Sequence, residues 1–317
     1  MKAMVIDDFG GLDRLTLREM PDPVPAEDEI RIKIAYCGVN PVDWKLREGM
    51  LAEALPHEFP LILGWEAAGT VDQLGGQVRD FRPGDRVYAY CRKPVVQWGT
   101  YCEYVTVKAR VAAPAPANLE LRQAAVIPLT GLTAWQALFD FAGLAEGQTV
   151  LIHAGAGGVG SYALQYARYA KAGRIYTTAG EMNHDYVRDL GAQVPIDYRS
   201  QDFVSALKAA EPAGVDVIFD TVGGETQRHS YEVLKPGGVL VSIVDPPDEG
   251  IAGRYGVRAG YVFVEPNGEQ LRTIARLFES GILHPPQIRE MALEEAASAQ
   301  EKSRAGHVRG KIVLKVE

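Results

Sequence analysis

Apolar and polar positions alternate with a period of two through much of the first hundred residues. EIRIKIAYCGV, GTVDQLG, DRVYAY and TYCEYVTV read as strands, punctuated by PDPVPAED, RPGD and PAPAN. That pattern predicts an antiparallel, barrel-like β unit. Between Leu121 and Leu144 the period lengthens, with Ala, Leu and Trp135 at helical intervals in AAVIPLTGLTAWQALFDFAGL, and the change marks a domain junction.

From Gln148 strands and helices take turns. TVLIH, RIYTT, QVPID, VDVIFD and GVLVSIV are the strand candidates, with SYALQYARYAKA, NHDYVRDLG, SQDFVSALKAA and TQRHSYEVLK as the intervening helices. GYVFV offers a sixth strand, NGEQLRTIARLFESGI an amphipathic helix, and GKIVLKVE a last strand with no helix after it. The alternation predicts an α/β protein with a Rossmann doubly wound parallel sheet, covered on both faces. The tail strand is expected to rejoin the β-rich unit. That makes the latter discontinuous, residues 1–122 and 268–317, around an α/β unit of residues 123–267. The stretch from Pro246 to Gly260 reads as a glycine-rich loop.

The junction of the first α/β strand with its helix, TVLIHAGAGGVG, carries the chemistry. Gly155, Gly157 and Gly160 stand where a dinucleotide pyrophosphate needs a tight turn, a close backbone approach and close helix–strand packing. With Gly158 and Val159 they form a cradle at a helix N-terminus, which favours an anion. The second strand ends in Thr177, Thr178, Ala179 and Gly180, small neutral residues where NAD enzymes carry an acid for the ribose 2'-hydroxyl. There is room there for a 2'-phosphate, so the expected cofactor is NADPH. Glu181, just beyond, offers the opposite possibility of an acid turned toward a 2'-hydroxyl.

A charge of -8, a pI near 5.4 and no basic block argue against a nucleic-acid partner. No stretch approaches the length of a membrane span, and MKAMVIDDFGG has acids where a signal peptide needs an apolar core. A cytoplasmic enzyme is expected. Cys37, Cys91 and Cys102 are odd in number and lack a CxxC, which suggests neither a disulfide framework nor a zinc ribbon.

CGVNPVDWKLREG, PLILGWEAAG, PLTGLTAWQAL and HAGAGGVG, followed by LGAQVPIDYR, FDTVGG, LKPGG and GKIVL, occur in an order that resembles the zinc-independent quinone oxidoreductase branch of the medium-chain dehydrogenase/reductase superfamily. The resemblance covers nearly the whole chain. It implies that the β-rich unit is a GroES-like, partly open barrel, that the active site lies in the cleft against the cofactor domain, and that the protein forms a homodimer. In the zinc-bearing relatives a Cys and a His occupy the positions of Asn40 and Trp65. An amide and an indole cannot serve a catalytic zinc, so no metal is expected. Without a Lewis acid, the better substrate is one whose own conjugation accepts the charge that arrives with hydride, a quinone or an α,β-unsaturated carbonyl.

By the same resemblance Asn40, Asp43 and Trp44 line the cleft: Asn40 as donor to a carbonyl, Trp44 as a wall for a flat ring. Asp43 could equally serve a turn, and Trp44 the core. Thr130 matches a nicotinamide-proximal threonine and could also cap its helix. Candidate phosphate or adenosine contacts are Thr178, Asn183, Tyr198 and Arg199. Nicotinamide-side candidates are Thr221, Val222, Ile243, Val244, Phe263 and Val264, at strand carboxyl ends where an open parallel sheet binds ligands. Tyr255, in a glycine-flanked loop, is a candidate proton donor or simply a loop aromatic. Two other readings remain open at this level: a reductase of enoyl thioesters, and a nucleotide-bound structural or regulatory protein without turnover.

Overall fold

The computed structural model describes residues 1–306 and 308–317. The chain forms two compact units, Met1–Leu129 with Pro266–Glu317, and Thr130–Glu265. The junction falls after Leu129 because the short helix Leu121–Ala124 packs on the strands Glu29–Val39 and Glu66–Leu74 of the first unit.

In the first unit one strand does the organising. Glu29–Val39 is eleven residues long. Its first half pairs with Tyr104–Lys108, its second half with the tail strand Lys311–Lys315, and on its other side it pairs with Glu66–Leu74. A strand that serves two neighbours on one side bends the sheet around a core, the partly open barrel of a GroES-like domain. The remaining members are Arg86–Tyr90, Ala112–Pro114 and Ile288–Ala292, the last parallel to the tail strand. A separate four-stranded sheet contains Thr16–Glu19, Lys2–Ile6, His57–Ile62 and Val96–Trp98.

The second unit is a six-stranded parallel sheet in the order Val194–Ile196, Arg174–Thr178, Thr149–Ile152, Val215–Asp220, Leu234–Ser242, Arg258–Tyr261. Counted along the chain this is 3-2-1-4-5-6, the doubly wound dinucleotide-binding order, in which the first strand lies at the centre. Leu151, Tyr176, Leu207, Ile218, Tyr231 and Leu240 belong to one buried cluster that joins the sheet to its helices.

Three local expectations are corrected. Pro246–Gly260 is not a loop throughout: Glu249–Tyr255 is helical, begun by Asp248, whose carboxylate accepts from the Ile251 N–H at 2.9 Å, and ended by left-handed Gly256. Tyr255 therefore closes a helix and stacks on Tyr231, ring centroids 5.8 Å apart. The sixth strand is Arg258–Tyr261 rather than GYVFV, because its register with Val239–Ser242 ends before Phe263. The helix read through TQRHSYEVLK is confined to Gly224–Ser230 and a short turn, and Leu234 already begins the fifth strand. Among the described residues no helix is long and apolar enough to cross a membrane.

Candidate active site

In the second unit the expected cofactor residues collect at the carboxyl ends of the parallel strands. Gly155 follows the first strand, Tyr198 and Arg199 the third, Thr221 and Val222 the fourth, Ile243 and Val244 the fifth, and Phe263 and Val264 the sixth. A Cβ on Gly155 would lie 2.2 Å from Thr177 Oγ1, and one on Gly160 would lie 2.4 Å from the Ala154 carbonyl oxygen. The turn is therefore packed as closely as a pyrophosphate cradle requires. Gly157 is the N-cap of the helix Gly158–Tyr169, whose first N–H groups, including those of Gly158, Val159 and Gly160, have no carbonyl within the helix to bond. A dinucleotide fits this donor set.

Around the second strand end the placement is mixed. The Arg199 guanidinium lies 3.6–3.7 Å from where a Gly180 Cβ would be, and about 5.6 Å from the Tyr198 ring centre. Arg199 and Tyr198 are exposed, and Asn183 is half-buried in the short turn Glu181–Asn183. Thr178, a candidate phosphate or adenosine contact, turns inward. It is 5% exposed, its Oγ1 accepts the Ala154 N–H at 3.0 Å, and its carbonyl accepts the Gly155 N–H at 3.1 Å. Parallel pairing with Thr149–Ile152 sets it directly against the glycine turn.

Thr221 and Val222 are presented by a buried acid that sequence reasoning missed. Asp220 Oδ1 accepts from the Val222 and Gly223 N–H groups, both at 2.9 Å, and Oδ2 accepts from Ser242 Oγ at 2.8 Å and Gln227 Nε2 at 3.1 Å. Val222 and Phe263 are partly exposed, Ile243 and Val244 half-buried, and Val264 and Thr130 buried.

In the first unit Asn40 caps the helix Pro41–Arg47. Its side chain is pinned by two groups the sequence pattern did not single out. Lys311 Nζ donates to Asn40 Oδ1 at 2.5 Å, to Glu66 Oε1 at 2.7 Å and to the Val39 carbonyl at 2.9 Å. Asn40 Nδ2 donates to Glu66 Oε1 at 2.8 Å, and Glu66 Oε2 accepts the Leu129 N–H at 2.8 Å. All three side chains are buried. The ammonium has spent its three donors, and the amide can point only one way, oxygen to Lys311 and nitrogen to Glu66. Among the described residues one amide N–H of Asn40 is left over. The sequence signal was faint: a charged residue inside each of the apolar runs PLILGWEAAG and GKIVL.

Asp43 Oδ2 accepts from the Asn40 N–H and from Tyr101 Oη, both at 2.8 Å, so its carboxylate serves the start of the helix. Burial pushes its pKa up to about 7, against the lowering effect of those two hydrogen bonds and of the Lys311 charge; Glu66 adds to the rise. A carboxyl whose folded pKa is raised holds a proton that the unfolded chain has already lost. It therefore stabilises the fold at low pH, and the contribution fades as pH rises from about 4 toward about 7. Asp43→Asn should thus gain on the wild type between about pH 5 and about pH 8 in urea midpoints. A difference equal at both pH values would mean that Asp43 does not titrate in this window. Trp44 is half-buried, with Lys45 and Arg304 each 5.7 Å from its ring centre.

The donor set does not fit zinc. Trp65 is buried with its ring 6.2 Å from that of Tyr90, and Asn40 is committed to Lys311 and Glu66. Cys37, Cys91 and Cys102 are free and buried, and burial pushes the Cys37 thiol well up and that of Cys102 to about 12. Among the described residues no three His, Cys, Asp or Glu side chains come together so as to hold a metal ion.

Two family models match the chain: an alcohol dehydrogenase GroES-like domain over residues 26–117, and a zinc-binding dehydrogenase over residues 190–314. The synaptic vesicle membrane protein VAT-1 homolog of Rattus norvegicus is 34% identical over 244 residues; the match takes in 76% of this chain, which spans 59% of that protein's length. The 2-methylene-furan-3-one reductase of Solanum lycopersicum is 34% identical over 90% of this chain and 71% of its own. The solved structure of Escherichia coli quinone oxidoreductase complexed with NADPH is similar with a TM-score of 0.88 at 28% identity, covering 99% of this chain and 100% of that one.

Proposed function

Because the chain belongs to the medium-chain dehydrogenase/reductase superfamily, in its quinone oxidoreductase-like branch, we propose that it is an NADPH-dependent reductase that delivers hydride to a quinone or an α,β-unsaturated carbonyl without zinc. The observation that carries this reading is the pinned amide of Asn40 at a position where zinc-bearing relatives place a metal ligand.

A bound nicotinamide dinucleotide supplies the hydride. The protein's own part is to bind, orient and donate. The helix start at Gly157–Gly160 receives the pyrophosphate, and Arg199 beside Gly180 receives the 2'-phosphate. The remaining Asn40 N–H donates to the acceptor's oxygen as charge develops there, while Trp44 offers a flat apolar face. Lys311 cannot donate further, so it acts as a fixed positive charge behind the amide. The acceptor's conjugation carries the rest of the charge, and the proton comes from solvent or a nearby hydroxyl. The sheet ends on Arg258–Tyr261, whose ladder groups are offered to a second copy in the homodimer this reading implies.

Cofactor oxidation measured against quinones, enones, enoyl thioesters and simple aldehydes tests the reading. Turnover of quinones or enones, unchanged by a chelator, is expected. Arg199→Ala should weaken NADPH roughly tenfold and leave NADH unchanged. Zinc-dependent alcohol oxidation without quinone or enone reduction would overturn the reaction class, and NADH bound as tightly as NADPH would overturn the cofactor. Turnover of enoyl thioesters alone would move the substrate, and binding with no turnover on any acceptor would favour a regulatory protein.

A further inference from the structure

His153, the residue after the first strand of the second unit, is fully buried, with its ring edge-on to Phe203 at 4.9 Å. Both ring nitrogens have partners. Nε2 lies 3.0 Å from Ser230 Oγ, and Nδ1 lies 3.2 Å from Thr178 Oγ1.

Ser230 Oγ lies 2.7 Å from the Thr226 carbonyl oxygen and 3.0 Å from His153 Nε2; with its one hydrogen on the shorter of the two contacts, its oxygen accepts from Nε2–H. Burial pushes the imidazole pKa down to about 4, against the nearby Asp220 charge, which keeps the ring neutral and Nδ1 bare. Thr178 then donates its hydroxyl proton to Nδ1, and its oxygen accepts the Ala154 N–H at 3.0 Å. Ala154 opens the glycine turn with φ +49°, a left-handed conformation that an alanine needs help to hold. On the opposite side, Thr221 Oγ1 donates to the His153 carbonyl at 2.8 Å.

His153 thus joins three parts of the groove: the glycine turn through Thr178, the nicotinamide-side strand end through Thr221, and the helix Gly224–Ser230 through Ser230. We infer that His153, as its neutral Nε2–H tautomer, is a positioning residue for the cofactor. It holds the Thr178 hydroxyl on Ala154 and thereby fixes the turn that receives the pyrophosphate. The hydroxyl of Thr178 serves the turn and contacts no adenosine phosphate. The inference rests on the reading of this unit as a nicotinamide dinucleotide site.

The test measures Kd for NADPH and for NADH in the wild type, Thr178→Val, His153→Leu and His153→Asn, each with its Tm, together with nitrogen NMR shifts of the imidazole in the unliganded wild type. Thr178→Val and His153→Leu should each weaken both cofactors by roughly tenfold. His153→Asn, whose side-chain oxygen can take the place of Nδ1, should stay within about threefold of wild type. NMR should show the Nε2–H tautomer at neutral pH.

The Nδ1–H tautomer or a charged ring would overturn the inference, and that result does not depend on any variant folding. So would wild-type affinities in Thr178→Val and His153→Leu, or a loss as large in His153→Asn as in His153→Leu. A loss in Thr178→Val confined to NADPH would return Thr178 to the 2'-phosphate and overturn it as well. A wild type that binds neither cofactor would overturn the underlying functional reading along with the inference, whereas every other failure leaves that reading standing.

Discussion

Lys311→Met is expected to cost about 3–5 kcal/mol of folding free energy. Lys311 is 4% exposed and its ammonium bonds to Glu66, Asn40 and Val39. Methionine fills much of the same volume, so packing is not what is lost. What remains is a fully buried carboxylate with the Asn40 amide and the Leu129 N–H as its partners and no opposite charge. Removing both charges together, as Glu66→Gln with Lys311→Met, should be less damaging than Lys311→Met alone, because neither charge is then stranded. Urea unfolding of the wild type, the single variant and the double variant measures this. A midpoint for Lys311→Met indistinguishable from wild type would show that the pair does not hold the first unit together.

Gly160→Ala is expected to weaken NADPH binding by roughly a hundredfold or more. The added methyl would sit 2.4 Å from the Ala154 carbonyl oxygen and 2.7 Å from Gly155 Cα. Both are backbone atoms of the turn itself, so the clash cannot be relieved by a side chain swinging away. Either the helix Gly158–Tyr169 moves off the strand or the turn opens, and both displace the N–H groups that receive the pyrophosphate. Gly253→Ala is the matching control. It lies inside the helix Glu249–Tyr255 with nothing within 4 Å of the new Cβ, and should leave affinity unchanged while raising stability by about 0.5–1 kcal/mol. Titration calorimetry with NADPH compares the two, and equal affinities would show that the Gly160 packing does not shape the cofactor site.

The parallel sheet was legible because period-two runs and period-3.6 runs alternate cleanly after Gln148, and because the glycine turn sits between the first pair. The helix Glu249–Tyr255 was not. Gly250, Gly253 and Gly256 made it look like a loop, although Asp248 and Gly256 are a start and a stop signal in plain view. Helical glycines cost about 1 kcal/mol each, and here packing offsets that cost: Ala252 is buried in the cluster that covers the sheet. Small neutral residues at the second strand end pointed to space for a phosphate, yet only the folded turn shows that the Thr178 hydroxyl faces Ala154 and His153. The Asn40 cluster lay furthest out of reach. Lys311 meets Asn40 across 271 positions, and which residues face each other there follows from the register of Ile312 on Val39, a property of the folded sheet.

That pairing also orders events during synthesis. Glu66 leaves the ribosome 245 residues before Lys311, and until the tail strand arrives its carboxylate has no cation to meet. The second unit is one uninterrupted stretch from Thr130 to Glu265, and domains generally fold as units as they emerge, so it can close while translation continues. The amide proposed to face the acceptor is therefore set only after the second unit has been made, so that a chain terminated before Lys311 would carry a finished nucleotide fold and an unset donor.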